Sequence, residues 1–158
     1  MERKLIIRNF GAIASADIAL KDFNIFIGEQ GAGKSTVAKL ITIFENSRDK
    51  VLKVDSDYLM TKFSEYNIIS YFNPDSYISY SSEQGDITYE DGSFNFTFSY
   101  HSTSHNLYIP AERFFISTFS RSIATLVLSK APIPVTLLEF ASFYEKAKNL
   151  FVNYQVPI

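Results

Sequence analysis

Eight consecutive residues, Gly28-Glu29-Gln30-Gly31-Ala32-Gly33-Lys34-Ser35, constrain this chain more than any other feature. They match the spacing G-x-x-x-x-G-K-[ST] at every fixed position. The apolar run Phe23-Asn24-Ile25-Phe26-Ile27 precedes them. Val37, Leu40, Ile41 and Phe44 follow at i, i+3, i+4, i+7. This order predicts a strand buried on both faces, a glycine-rich turn, and an amphipathic helix from Lys34 to about Asn46 or Ser47.

Each residue type in the loop has a physical use. Gly31 and Gly33 allow backbone torsions that other residues resist, and they keep side chains away from a ligand. Successive N–H groups then form an anion-binding nest, and the helix start adds its partial positive charge. Gly28, Glu29, Gln30, Gly31, Ala32, Gly33, Lys34, Ser35 and Thr36 are the candidate nucleotide-binding residues. Lys34 can reach the β- and γ-phosphates and is the candidate catalytic residue. Ser35 offers a hydroxyl to Mg²⁺, and Thr36 is placed for the α-phosphate. ATP and Mg²⁺ are the implied cofactors. The competing explanation is a glycine-rich strand-to-helix turn with an incidental lysine.

Upstream, Lys4–Phe10 reads as a strand and Ala16–Leu20 as another, joined through Gly11–Ser15. The stretch 48–80 carries weaker signals. Val51–Val54 is a possible strand and Asn73-Pro74-Asp75-Ser76 a turn. Asp91-Gly92 then sits between two runs of alternation, Ile87/Tyr89 and Phe94/Phe96/Phe98/Tyr100, which is a hairpin signature. Leu107–Ile109 reads as a short strand ended by Pro110. After Pro132 and Pro134, the residues Leu137, Phe140, Ala141, Tyr144, Lys148 and Phe151 mark one face of a final helix.

Composition excludes several classes. Lys+Arg is 15 against Asp+Glu 17, a net charge of −2, so no global charge pulls the chain toward nucleic acid. Cysteine is absent, which excludes disulfides and thiolate metal sites and fits the cytoplasm. No apolar run reaches the roughly 18 residues of a transmembrane helix, so no membrane partner is expected. The N-terminus lacks the apolar core of a signal peptide. His101 and His105 have no acidic or Cys partner nearby and make a poor metal site.

Residues Leu5 to Phe44 resemble the opening of ABC-type ATPase heads of the SMC-like, RecF-like and overcoming-lysogenization-defect group. The resemblance lies in L-I-I-R-N-F-G-A-I (5–13), A-D-I-A-L (16–20) and N-I-F-I-G-E-Q-G-A-G-K-S-T (24–36). In that group a strand with an Asn-Phe pair precedes a second strand and the Walker A loop. Tyr108-Ile109-Pro110-Ala111-Glu112-Arg113 resembles a segment of bacterial AAA-type ATPases of the same group. The resemblance implies an α/β P-loop NTPase fold of ABC-ATPase type, the N-terminal half with an antiparallel β-subdomain and C-terminal helices. It implies ATP bound between the phosphate loop and that subdomain, with Arg8 and Asn9 as further candidate contacts. It also implies two heads pairing as a homodimer around ATP in the full-length protein, with nucleic acid as a partner by analogy of fold.

The chain departs from that pattern. Gln84 and Gln155 sit poorly for a Q-loop, and no L-S-G-G-like stretch is present. No apolar run ends in Asp-Glu; Val51–Asp55 and Val135–Glu139 come nearest, and Val135–Glu139 reads as the start of a helix. The expectation is a partial head over 1–158 that continues beyond the chain. It comprises strands, loop and first helix (1–50), an antiparallel β-rich region (51–110) and a helical region (111–158). Hydrolysis by this chain alone is expected to be weak or absent. Two alternatives stay open. A small-molecule P-loop kinase would use Asp55 and Asp57 as base and Mg²⁺ ligand. A degenerate, non-enzymatic module would bind a partner through the aromatic hairpin.

Overall fold

In a computed structural model of the chain, described for residues 3–47, 55–83, 85–98, 106–111, 128 and 132–153, five strands form one antiparallel sheet. The strands are β1 (Arg3–Phe10), β2 (Ile13–Leu20), β3 (Tyr77–Ser82), β4 (Gly85–Glu90) and β5 (Ser93–Phe98), in the order β2-β1-β3-β4-β5. Helix α1 spans Lys34–Asn46, α2 spans Ser56–Glu65, and α3 spans Val135–Asn153. A 3₁₀ turn covers Ile69–Tyr71. The chain divides into two units, Met1–Asn106 and Leu107–Ile158.

β1 lies inside the sheet, between β2 and β3, and its pattern demands cover. Leu5 and Ile7 share one face and are fully buried. Strict alternation would place Asn9 on that face next. Instead Asn9 takes φ +50°, a conformation Asn tolerates, and the buried position passes to Phe10. The Asn9 carbonyl accepts from Ser76 Oγ (2.5 Å) and Asn73 Nδ2 (2.6 Å), which ties the hairpin to the 73–76 turn.

An aromatic core fills this face. The Phe10 ring meets Phe63 edge-on at 5.9 Å and Phe72 at 4.9 Å between centroids. Phe63 lies 5.6 Å from Phe94, and Phe44 of α1 stacks on Tyr80 at 5.7 Å. Contacts of this kind contribute about 0.5–1.5 kcal/mol each beyond area burial. Tyr80 is fully buried, and its hydroxyl donates to Glu45 Oε1, itself buried at the end of α1.

Several expected elements are present: β1, α1, the 73–76 turn, the β4–β5 hairpin across Asp91-Gly92, and α3. Others need correction. β2 starts at Ile13, so the β1–β2 connection is only Gly11-Ala12. Leu107–Ile109 forms no strand. Helix α2 and strand β3 emerge from the stretch that carried weak signals. α2 begins because the Asp55 side chain caps it, accepting from the Tyr58 N–H at 2.9 Å. The possible strand at 51–54 lies outside the described residues.

The largest correction concerns Phe23–Ile27. It joins no sheet, and three of its apolar side chains are largely exposed. Phe23 is 81% exposed, Ile25 70% and Ile27 92%. All five strands of the described residues are taken up in the antiparallel sheet, and none of them pairs with this segment.

Candidate functional site

The loop from Gly28 to Gly33 turns sharply between the extended segment and α1. The Ala32 N–H donates to the Glu29 carbonyl at 3.2 Å. Gly31 and Gly33 both lie in the left-handed region, at φ +83° and +86°. At Gly31 a Cβ would meet nothing within 4 Å, so the torsion alone selects glycine. At Gly33 space is also limiting, because a Cβ would stand 2.5 Å from Ile13 Cγ1. The loop thus rests directly on the first residue of β2.

Gly33 is the N-cap of α1, and no side chain caps the helix there. The first α1 bond runs from Val37 N–H to the Gly33 carbonyl at 3.0 Å. Amides of the preceding first-turn residues therefore have no partner within the helix. No acidic residue occupies that turn. An anion fits both the free amides and the helix dipole.

Lys34 folds back across the loop. Its Nζ donates to the Gly28 carbonyl at 2.7 Å and the Glu29 carbonyl at 2.5 Å. Two loop carbonyls thereby hold the ammonium. Ser35 is exposed at the start of α1, while Thr36 is buried. Any contact from Thr36 to a ligand would therefore come from its backbone amide.

Beside the loop lies a groove of about 440 Å³, within the range of small-molecule sites. Residues 12–16 of the turn and β2, residues 25–27, residues 32–34 and Val37 line it. No single stretch of sequence announces the groove, because its lining comes from separate segments.

The two further candidates separate. Arg8 Nη1 donates to the Ala16 carbonyl at 2.9 Å, and Nη2 to Asp17 Oδ2 at 3.1 Å. Ala16 lines the groove, so Arg8 is tied to the site's border. Asn9 points elsewhere, its Nδ2 directed to the Asp75 carbonyl at 3.4 Å. Asp55 is engaged as the α2 cap, and Asp57 is exposed in the first turn of that helix. Glu112 and Arg113 lie outside the described residues, as do His101 and His105. Among the described residues no group of three or more His, Asp or Glu can hold a metal ion. No helix there is long and apolar enough to cross a membrane.

No curated protein matches the chain, and no solved structure does. The family model described as AAA ATPase domain matches residues 1–151. That match covers nearly the whole sequence, and the chain belongs to the AAA ATPase domain family.

Proposed function

We propose that this chain is the ATP-binding part of an ABC/SMC-like ATPase head, holding Mg²⁺-ATP between the phosphate loop and the antiparallel sheet. The observation that carries this is the loop itself: two left-handed glycines, an uncapped helix start and a lysine poised over them. The donor set suits a triphosphate. Backbone amides of 31–36 would cradle the phosphate oxygens and Lys34 would offset their charge, moving from its carbonyl partners onto the anion. Ser35 would supply one oxygen to Mg²⁺, with phosphates and waters completing the shell. Arg8 would brace the groove through Ala16.

Hydrolysis also requires a group that positions or deprotonates water. We place it, with the Q-loop and signature residues, in polypeptide beyond these 158 residues. The exposed Phe23–Ile27 segment supports this, since so apolar a run suits a sheet covered on both sides. In the complete protein, ATP-driven pairing of two heads would be the mechanical event and hydrolysis would reset it. A cytoplasmic setting and a role in DNA maintenance or defence follow by analogy of fold.

Calorimetric titration of the chain with Mg²⁺-ATP tests the binding. Weak binding that vanishes in Lys34→Ala, with the melting temperature unchanged, is expected. Identical behaviour of wild type and variant would remove the phosphate loop from the account. Robust ATP turnover by the isolated chain would overturn the partial-head assignment.

A further inference from the structure

β5 (Ser93–Phe98) is an outer strand of the sheet, paired with β4 on one side and, among the described residues, with no strand on the other. The turn before it decides which backbone groups face that open side. Asp91 (φ +49°) and Gly92 (φ +79°) are both left-handed, the geometry of a two-residue type I′ hairpin. In such a hairpin the flanking pair, here Glu90 and Ser93, exchanges hydrogen bonds, and every second pair after it does the same. Asn95 with Thr88 and Thr97 with Asp86 are therefore the bonded pairs. The N–H and C=O groups of Phe94, Phe96 and Phe98 point the other way, to the open edge. Devices that keep such edges apart are missing from β5, which holds no charge, proline or glycine. β2, at the opposite edge, carries Asp17 in its middle.

We propose that the open edge of β5 docks a second copy of this chain, the two β5 strands lying antiparallel about a two-fold axis through Phe96. The sequence of the strand selects that occupant. Phe94-Asn95-Phe96-Thr97-Phe98 reads the same in both directions as aromatic and polar positions. A two-fold interface needs this symmetry, because one surface must suit itself. Centred on Phe96, the register sets Phe96 opposite its own counterpart and Phe94 opposite Phe98 of the second copy. The open backbone groups of these residues then bond across the axis, as in strand addition to a sheet edge. Asn95 falls opposite Thr97 of the second copy on the other face, so polar meets polar. A slip of one residue would turn the aromatic face of one copy to the polar face of the other. Because β5 is uncharged, no like charges oppose the approach. The pairing uses no residue of the phosphate loop and stands apart from the nucleotide-binding assignment.

Sedimentation velocity of the full chain without nucleotide tests this, in an Ile25→Ser/Ile27→Ser background that silences the exposed apolar segment before the loop. A concentration-dependent equilibrium between monomer and dimer is expected. Asn95 and Thr97 are exposed, so changing them spares the core. Asn95→Lys/Thr97→Lys sets like charges opposite each other in the two-fold register and should weaken the dimer by about tenfold. Asn95→Glu/Thr97→Lys sets opposite charges there and should dimerise at least as tightly as the parent. Both variants should keep the parent's circular dichroism spectrum. Equal dimerisation by the two variants would overturn the proposal, because the charges would then not face each other. So would a parent chain that stays monomeric at every concentration. Growth beyond the dimer would also overturn it, since a two-fold pairing closes on itself and uses up the edge.

Discussion

Gly33 sits against Ile13, so closely that a Cβ on the glycine would stand 2.5 Å from Ile13 Cγ1 and 2.9 Å from Cδ1. This contact joins the Gly28–Gly33 loop to the antiparallel sheet. Gly33→Ala would add a left-handed alanine to a steric overlap. A loss of about 1–3 kcal/mol in denaturant unfolding is expected, together with loss of nucleotide binding. Gly33→Ala/Ile13→Ala should recover the part of the loss due to overlap, while the part due to the torsion, φ +86°, persists.

The buried Tyr80–Glu45 pair is another site of consequence. Tyr80 donates to Glu45 Oε1, and Arg3 Nη1 approaches the same oxygen at 3.7 Å. Glu45→Ala should destabilise the fold by about 1–3 kcal/mol, because a buried hydroxyl loses its charged acceptor. Glu45→Gln keeps an acceptor and should cost less. Combining Glu45→Ala with Tyr80→Phe should give less than the sum of the single losses, a coupling readable by a double-mutant cycle.

Asp55 separates a structural role from a catalytic one. Its carboxylate caps α2 at Tyr58 N–H, so Asp55→Ala should cost about 1 kcal/mol, and Asp55→Asn, which still caps, a fraction of that. A kinase would behave differently, because Asn cannot serve as a base. Phosphate transfer from ATP to a small alcohol that Asp55→Asn abolishes would revive the kinase alternative.

The segment before the loop makes an opposite kind of prediction. Ile27→Ser should change stability by no more than about 0.5 kcal/mol, because the side chain is 92% exposed. Light scattering should show less self-association for Ile25→Ser/Ile27→Ser, since an unpaired apolar strand invites intermolecular pairing. Ile7→Ser, at a fully buried position, should cost several times more in the same unfolding assay.

Local chemistry was legible in the sequence wherever a short stretch decides its own conformation. The spacing of Gly28 to Ser35 announced a glycine turn, and Gly31 and Gly33 do take left-handed torsions. Asp91-Gly92 announced its hairpin, and both residues do take positive φ. The period of Val37, Leu40 and Phe44 announced the buried face of α1.

Burial and pairing were decided by tertiary structure, because both need a partner that the local sequence does not contain. Phe23–Ile27 has the composition of a buried strand, yet composition records a need for neighbours and not their presence. β3 became a strand because β1 and β4 offered edges on either side of it, aligning Ile78 with Ile7 and with Tyr89. Asn9 reads in the sequence as a strand residue and, through the family resemblance, as a candidate nucleotide contact. Its left-handed torsion and its bonds to the 73–76 turn depend on residues more than sixty positions away. The groove beside the loop has the same origin: its lining joins residues 12–16 to residues 25–37, segments that only folding brings together.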